Sequence, residues 1–200
     1  MYQFIETIKI KNGKFQNLSF HLQRMKNTIM NFFNIDFITN IDNLQIPEIY
    51  INDVVKCRII YSSKIDSIEF LNYEIKKINK LKIIEDNNIE YDYKFLNRQR
   101  LEYLYNLRND CDEIIISKNG LITDTSYSNI VLEKKGKYYT PNTPLLKGTK
   151  RDFYLKKKII VPITISIDNL FEYENIRLIN SMIDLEESPI IKISKENIII

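Results

Sequence analysis

Positions 4–10 alternate, with Phe4, Glu6, Ile8 and Ile10 on one side and Ile5, Thr7 and Lys9 on the other. A period of two predicts a β-strand. Lys11-Asn12-Gly13-Lys14 follows. Asn-Gly after such a run predicts a tight hairpin, with Phe15–Leu18 as the returning strand. Ser19 stands where a helix cap is expected. From Phe20 to Phe33 apolar residues recur at Leu22, Met25, Ile29 and Phe32/Phe33. That spacing predicts an amphipathic helix of about four turns. His21 and Arg24 lie three apart on one face of its first turn.

Residues 40–53 read as a weaker helix interrupted by Pro47. Val54–Tyr61 and Ile65–Tyr73 read as strands joined by Ser62-Ser63-Lys64. The charged stretch 76–88 holds one further strand, Leu81–Ile84, and the domain boundary is placed there, giving 1–85 and 86–200. Beyond it, Asn97–Leu107 is helical, with Leu101, Leu104 and Leu107 on one stripe. Glu113–Ser117, Leu121–Asp124, Asn129–Glu133 and Lys137–Thr140 are short strands, separated in part by the turns Lys118-Asn119-Gly120 and Lys135-Gly136. A helix over 149–157 follows Gly148, and Ile163–Ile167 and Arg177–Ile179 are further strands. Many strands with about three helices packed on them predict an α+β or α/β fold.

Composition narrows the function classes. Ile, Asn, Lys and Tyr number 38, 22, 22 and 13, which is 95 of 200 residues; Ala and Trp are absent and Gly occurs four times. The density of β-branched and aromatic residues excludes low-complexity disorder. Two cysteines, Cys57 and Cys111, exclude a disulfide scaffold. No apolar run is long enough to span a bilayer, and the N-terminal segment lacks the basic-then-apolar pattern of a leader, so the cytoplasm is the expected compartment. The net charge of +3 is spread thinly. Lys76–Lys82 and Lys156–Lys158 therefore read as solvated faces and not as a nucleic-acid surface.

The chemistry is constrained by what is missing. No Gly-rich nucleotide loop and no GxSxG elbow occur. His21 is the single histidine, so a multi-histidine metal site is impossible. The remaining routes are a lysine, a carboxylate or a cofactor. Lys94 stands out because it lies among aromatics in Tyr91-Asp92-Tyr93-Lys94-Phe95, where partial burial favours a nucleophilic amine. Asp124 ends a strand in Ile122-Thr123-Asp124-Thr125-Ser126-Tyr127-Ser128-Asn129, and taken alone reads as an ordinary turn residue.

Taken together these segments resemble the class-IV aminotransferases, the fold-type-IV pyridoxal-phosphate enzymes. That family includes branched-chain aminotransferase, D-amino acid transaminase and 4-amino-4-deoxychorismate lyase. Asn119-Gly120-Leu121-Ile122-Thr123-Asp124 running on to Asn129-Ile130-Val131 is similar to the family's strand-turn-strand. Tyr139-Thr140-Pro141, then Leu145-Leu146-Lys147-Gly148-Thr149-Lys150-Arg151, is similar to its Thr-Pro pair and the Leu-x-Gly that leads into a helix. His21-Leu22-Gln23-Arg24-Met25 resembles its N-terminal helix, and Leu178-Ile179-Asn180-Ser181-Met182 its last cofactor-contacting turn.

The resemblance implies a small α/β N-terminal domain and a β-rich pseudo-barrel C-terminal domain carrying the cofactor lysine. It implies pyridoxal 5'-phosphate (PLP) as cofactor, a homodimer, a small amino-acid or aminodeoxychorismate-type substrate, and no metal. Lys94 would hold the cofactor covalently and shuttle the α-proton. Asp124 would pair with the ring nitrogen, within the same strand-turn-strand as Asn129. Arg24 would grip the phosphate, with Gly148, Thr149, Asn180 and Ser181 offering further hydrogen bonds. Asp124 stands where the family usually has Glu, one methylene or about 1.5 Å shorter. The implied reaction is aminotransfer or 4-amino-4-deoxychorismate lysis to pyruvate and 4-aminobenzoate, with a slight lean to the lyase branch. A D- or branched-chain aminotransferase and a repurposed, catalytically degenerate domain are the alternatives.

Overall fold

The protein is described from a computed structural model. The structure describes residues 2–37, 41, 44–51 and 53–200. It divides into two compact units, Met1–Ile75 with Tyr93–Asn97, and Lys76–Asp92 with Arg98–Ile200. The sequence-based division at 85/86 placed residues 76–85 in the first unit and Lys94 in the second. Backbone pairing accounts for the difference. Strand 81–85 joins a sheet of the second unit, whereas the segment around Lys94 pairs with the first strand of the chain.

The first unit is an antiparallel sheet in the order β2-β1-β3-β4. Its strands are β1 (Phe4–Lys11), β2 (Lys14–Phe15), β3 (Val54–Tyr61) and β4 (Ile65–Asn72). Asn12 and Gly13 both have positive φ, 52° and 66°, as a two-residue hairpin turn requires. The returning strand β2 is only two residues long, because Asn17 turns left-handed (φ 52°) and helix α1 (Leu18–Phe33) starts at once. Ser19 therefore lies inside the helix and does not cap it. Met25 and Ile29 of α1 share one core with Phe4, Ile8 and Ile10 of β1 and Val55, Cys57 and Ile59 of β3. Alternation puts these strand residues on one face of the sheet. Within the helix expected over 40–53, Glu48–Tyr50 forms one 3-10 turn after Pro47; residues 40, 42, 43 and 52 of it lie outside the described residues.

The second unit holds two sheets. One has the order β13-β5-β6-β7, built from β5 (Leu81–Glu85), β6 (Glu113–Lys118), β7 (Leu121–Ile122) and β13 (Ile198–Ile199). The other has the order β10-β9-β8-β11-β12, built from β8 (Asn129–Lys134), β9 (Lys137–Pro141), β10 (Ile160–Ile163), β11 (Asn175–Ile179) and β12 (Ile190–Lys192). Ile83, Ile115, Ile130, Leu132, Ile176 and Leu178 bring both sheets into one core. Helices α2 (Gln99–Asn106) and α3 (Thr149–Lys156) complete the unit. The strand expected over Ile163–Ile167 is displaced to Ile160–Ile163, where β10 pairs with β9 at the sheet edge. An edge strand tolerates Pro162, which has no N–H to donate. The mixed α+β architecture expected from the sequence is present, and among the described residues no helix is long and apolar enough to cross a membrane.

Candidate active site

The residues implicated by sequence fall in both units. In the first, β1 and α1 enclose a charged cluster. Glu6 alternates with the apolar residues of β1 that face α1, so its carboxylate is fully buried there. Arg24 donates to it twice, Nε to Oε1 at 2.6 Å and Nη2 to Oε2 at 2.7 Å. His21, one helical turn earlier, places Nδ1 2.6 Å from Oε2. Burial raises the Glu6 pKa, but the Arg24 charge and the His21 hydrogen bond outweigh it and hold it at about 2. Burial lowers the His21 pKa against the pull of Glu6, so the ring is neutral at pH 7. A neutral ring that gives its Nδ1 proton to Glu6 orients without adding charge. Thus Glu6 fixes the plane of the Arg24 guanidinium, and sequence reasoning missed it. The signal was there: a carboxylate on the apolar face of an alternating strand.

Glu6→Gln is expected to destabilise the protein by about 3 kcal/mol, since it removes the buried anion that pairs with the Arg24 guanidinium. The Glu6 pKa is lower folded than unfolded. Its contribution is therefore complete above about pH 4.5 and is lost as pH falls toward 2. Melting of variant and wild type across that range checks it; a pH-independent gap would contradict the assignment.

Lys94 lies on a short segment that pairs with β1. Ile5 N donates to Lys94 O and Leu96 N to Gln3 O, both at 2.9 Å, and Phe4 bridges Phe95 antiparallel. Phe95 packs on Phe4 with ring centroids 5.2 Å apart, and Tyr93 on Phe32 at 4.8 Å. Residues 93 and 95 thus pack into the α1 core, and Phe95 N donates to Tyr93 O at 2.9 Å, a tight turn centred on Lys94 whose charge reaches His21. The aromatic neighbours that drew attention to Lys94 in the sequence anchor its backbone segment in the α1 core.

In the second unit Asp124 follows β7 and forms an isolated bridge with Asn129, the first residue of β8. The intervening loop is tied down. Thr125 Oγ1 accepts from Ser128 N at 2.9 Å, and Ser126 Oγ donates to the buried Glu113 at 2.9 Å. Asp124 is itself buried, 5% exposed. Asn129 Nδ2 donates to its Oδ1 at 2.7 Å and Leu146 N to its Oδ2 at 2.9 Å. The same Asn129 Nδ2 reaches Leu146 O at 2.9 Å. Burial pushes the Asp124 pKa up to about 6, against the lowering effect of the Leu146 and Asn129 donors and of the Arg151 charge. Arg151, in the first turn of α3, donates Nη2 to Pro141 O at 2.9 Å, and its buried Nε has no hydrogen-bond partner among the described residues.

Gly148 immediately precedes α3. Its backbone is ordinary extended chain, yet a Cβ there would lie 2.0 Å from Asn129 Oδ1. The glycine is needed for space. Gly148→Ala is expected to push the Asn129 amide off Asp124 and to reduce cofactor affinity and turnover about tenfold each, on the order of the 1–1.5 kcal/mol carried by one hydrogen bond. Titration of Gly148→Ala and Asn129→Ala side by side checks it; the two should match. Thr149 is buried at the first position of α3. Asn180 builds the turn after β11: its Oδ1 accepts from Met182 N at 2.8 Å and Ile183 N at 3.1 Å, and its Nδ2 donates to Ser128 Oγ at 3.0 Å. Ser181 sits half-buried in that turn.

Buried Asp124, the Gly148 close approach and the tied 180–184 turn therefore surround the start of one helix. Residues 3–190 match the family model for amino-transferase class IV. The chain belongs to this family. It is 32% identical over 185 residues to an uncharacterized protein of Haemophilus influenzae, covering 91% of this chain and 98% of that one. The crystal structure of a candidate 4-amino-4-deoxychorismate lyase from Haemophilus somnus 129pt is 30% identical, with a TM-score of 0.81 over 91% of this chain and 97% of that chain. A hypothetical aminotransferase from Mycobacterium tuberculosis, in its PLP-bound form, shares the fold at 14% identity, with a TM-score of 0.73 over 95% of this chain and 80% of that chain.

Proposed function

We propose that this class-IV aminotransferase family member is a PLP-dependent enzyme that acts as a 4-amino-4-deoxychorismate lyase, releasing pyruvate and 4-aminobenzoate. The observation that carries the cofactor reading is Asp124: a buried carboxylate, braced on both oxygens, beside a helix start kept clear by Gly148. A pyridine nitrogen carrying a proton is the partner that such an anion suits, and the donors at 148–149 and 180–181 suit a phosphate. The 30% identity to the Haemophilus somnus candidate lyase, which this chain matches over 97% of that chain, supports the lyase branch.

When bound, PLP supplies an electron sink for the bond pair released at the substrate α-carbon. The chain's own residues do the rest. Lys94 would hold the cofactor through its amine, and its Nζ would accept and return the α-proton of the substrate. Asp124 keeps a proton on the ring nitrogen by accepting its hydrogen bond, and Asn129 with the Leu146 amide keeps that carboxylate in place. Arg24, held flat by Glu6, pairs with the phosphate, as do the amides at Gly148 and Thr149 and the polar groups of Asn180 and Ser181. The active form is a cytoplasmic homodimer.

The competing reading is an aminotransferase of D- or branched-chain amino acids, or a domain that binds PLP without turnover; Asp124 in place of the usual Glu is what favours the latter. Product analysis with purified protein and PLP separates them. Pyruvate plus 4-aminobenzoate from aminodeoxychorismate supports the lyase, and glutamate-dependent transfer to an oxo acid replaces it with the aminotransferase. PLP uptake with neither reaction leaves the repurposed domain.

A further inference from the structure

Lys150 is the second residue of α3 and only 3% exposed, and it forms an ion pair with Asp184 in the turn that follows β11. The position is doubly unfavourable for a cation. Burial strips the ammonium of water, and the start of a helix carries partial positive charge, which repels it. A lysine kept there needs its carboxylate, so the pair fixes where the Asp184 turn lies. One helical turn later, on the same face of α3, Tyr154 repeats the contact. Its hydroxyl accepts from Leu185 N at 2.8 Å and donates to Glu186 Oε2 at 3.2 Å. Its ring packs in a cluster with Val131, Ile179 and Leu185. At its other end the turn is tied by Asn180 to Ser128, in the loop that follows Asp124. The start of α3 is tied to Asp124 through Leu146 and Asn129.

We propose that the Lys150–Asp184 pair is a strut that holds the 180–184 turn against the first turn of α3, so that the two segments present their donors to one phosphate. The inference rests on the PLP reading above and deepens it. Lys150 and Asp184 are positioning residues; neither touches the cofactor. Tyr154 is the second brace on the same face. An apolar pair of similar volume would hold the segments together as firmly, but an ion pair with one short geometry also fixes their offset, which a multi-donor anion site requires.

The test compares equilibrium binding of PLP and of pyridoxal, which has the same ring and aldehyde but no phosphate. The proteins are the wild type, Lys150→Met, Asp184→Asn and Tyr154→Phe. Both charge variants are expected to bind PLP at least tenfold more weakly and pyridoxal within twofold of wild type. Tyr154→Phe keeps the ring and loses only the hydroxyl, so it keeps the question open to refutation if a charge variant fails to fold; its PLP affinity should fall about threefold. Equal losses for both ligands would mean a general weakening of the unit and would overturn the strut. So would unchanged PLP affinity. Tighter PLP binding by Asp184→Asn would also overturn it, because Lys150 would then be a direct phosphate ligand released from its competitor. If wild-type protein takes up neither compound, the PLP reading itself fails; if wild type binds PLP and the variants match it, only the strut fails.

Discussion

Asp124→Asn is expected to lower turnover by a factor on the order of a hundred or more, while PLP affinity changes by less than about tenfold. The magnitude follows from removing a preorganised charge from the point where the reaction needs it. A buried anion next to the ring nitrogen keeps that nitrogen protonated, and the neutral amide does not. Affinity is less sensitive, since the phosphate donors and Lys94 remain. The variant has a second signature that does not depend on activity. Burial sets the Asp124 pKa at about 6 in the folded protein, against an ordinary value of 3.8. The folded chain therefore holds a proton over this interval that the unfolded chain gives up. This group's contribution to stability is complete below about pH 3.8 and is lost as pH rises through 6. The loss is about 3 kcal/mol, from roughly two pKa units at 1.36 kcal/mol each. Asn cannot ionise, so melting of the cofactor-free variant should gain on wild type as pH rises from 4 to 7. A gap that does not change with pH, or an unchanged rate, would remove Asp124 from the proposed role.

The pH signature of Asp124 is opposite in sign to that of Glu6, although both carboxylates are buried. The difference lies in the partners. Glu6 has a bidentate arginine and a histidine within 2.7 Å. Asp124 has neutral N–H donors, from Asn129 and the backbone at 145–146, and only the through-space charge of Arg151. A strongly paired carboxylate brings its own counter-charge. One left with neutral donors is poised to take a cationic partner from outside, which is the functional difference between the two sites.

How much of this was legible in the sequence varied with the range of the interaction. β1, the Asn12-Gly13 turn, α1, β3 and β4 follow from local periodicity and turn chemistry, and they appear close to their expected bounds. β12 and β13 were not legible. They are three and two residues long, too short to show a period, and β13 owes its pairing to β5, far away in sequence. The same holds within the sites. Asp124 and Asn129 are five apart and their pairing is a local bridge, so the strand-turn-strand pattern exposed them. Glu6 with Arg24, and Lys150 with Asp184, are 18 and 34 residues apart. In a chain with 22 lysines, nothing distinguished Lys150 from its surface neighbours until its burial was known. Lys94 shows a third case. The aromatic context drew attention to it as a sign of a partly buried amine, a reading the structure replaces with anchoring of the segment by Tyr93 and Phe95 in the α1 core.

That replacement bears on the second large effect. Lys94→Ala is expected to abolish covalent attachment of PLP and to lower turnover by about four orders of magnitude, the upper range for loss of a general acid/base that is also the nucleophile. Hydride reduction of the wild-type holoenzyme followed by intact-mass measurement should show one added pyridoxyl phosphate; Lys94→Ala should show none, and its visible absorbance band should disappear. The fold should survive the change. Lys94 contributes its carbonyl to the β1 pairing, which Ala retains, and the aromatic anchors at 93 and 95 are untouched. Arg at the same position separates charge from reactivity, since a guanidinium stays protonated and is no nucleophile. It should match Ala in turnover. The chain's other lysines serve as an internal control: an adduct on the Ala variant at another lysine would reassign the nucleophile.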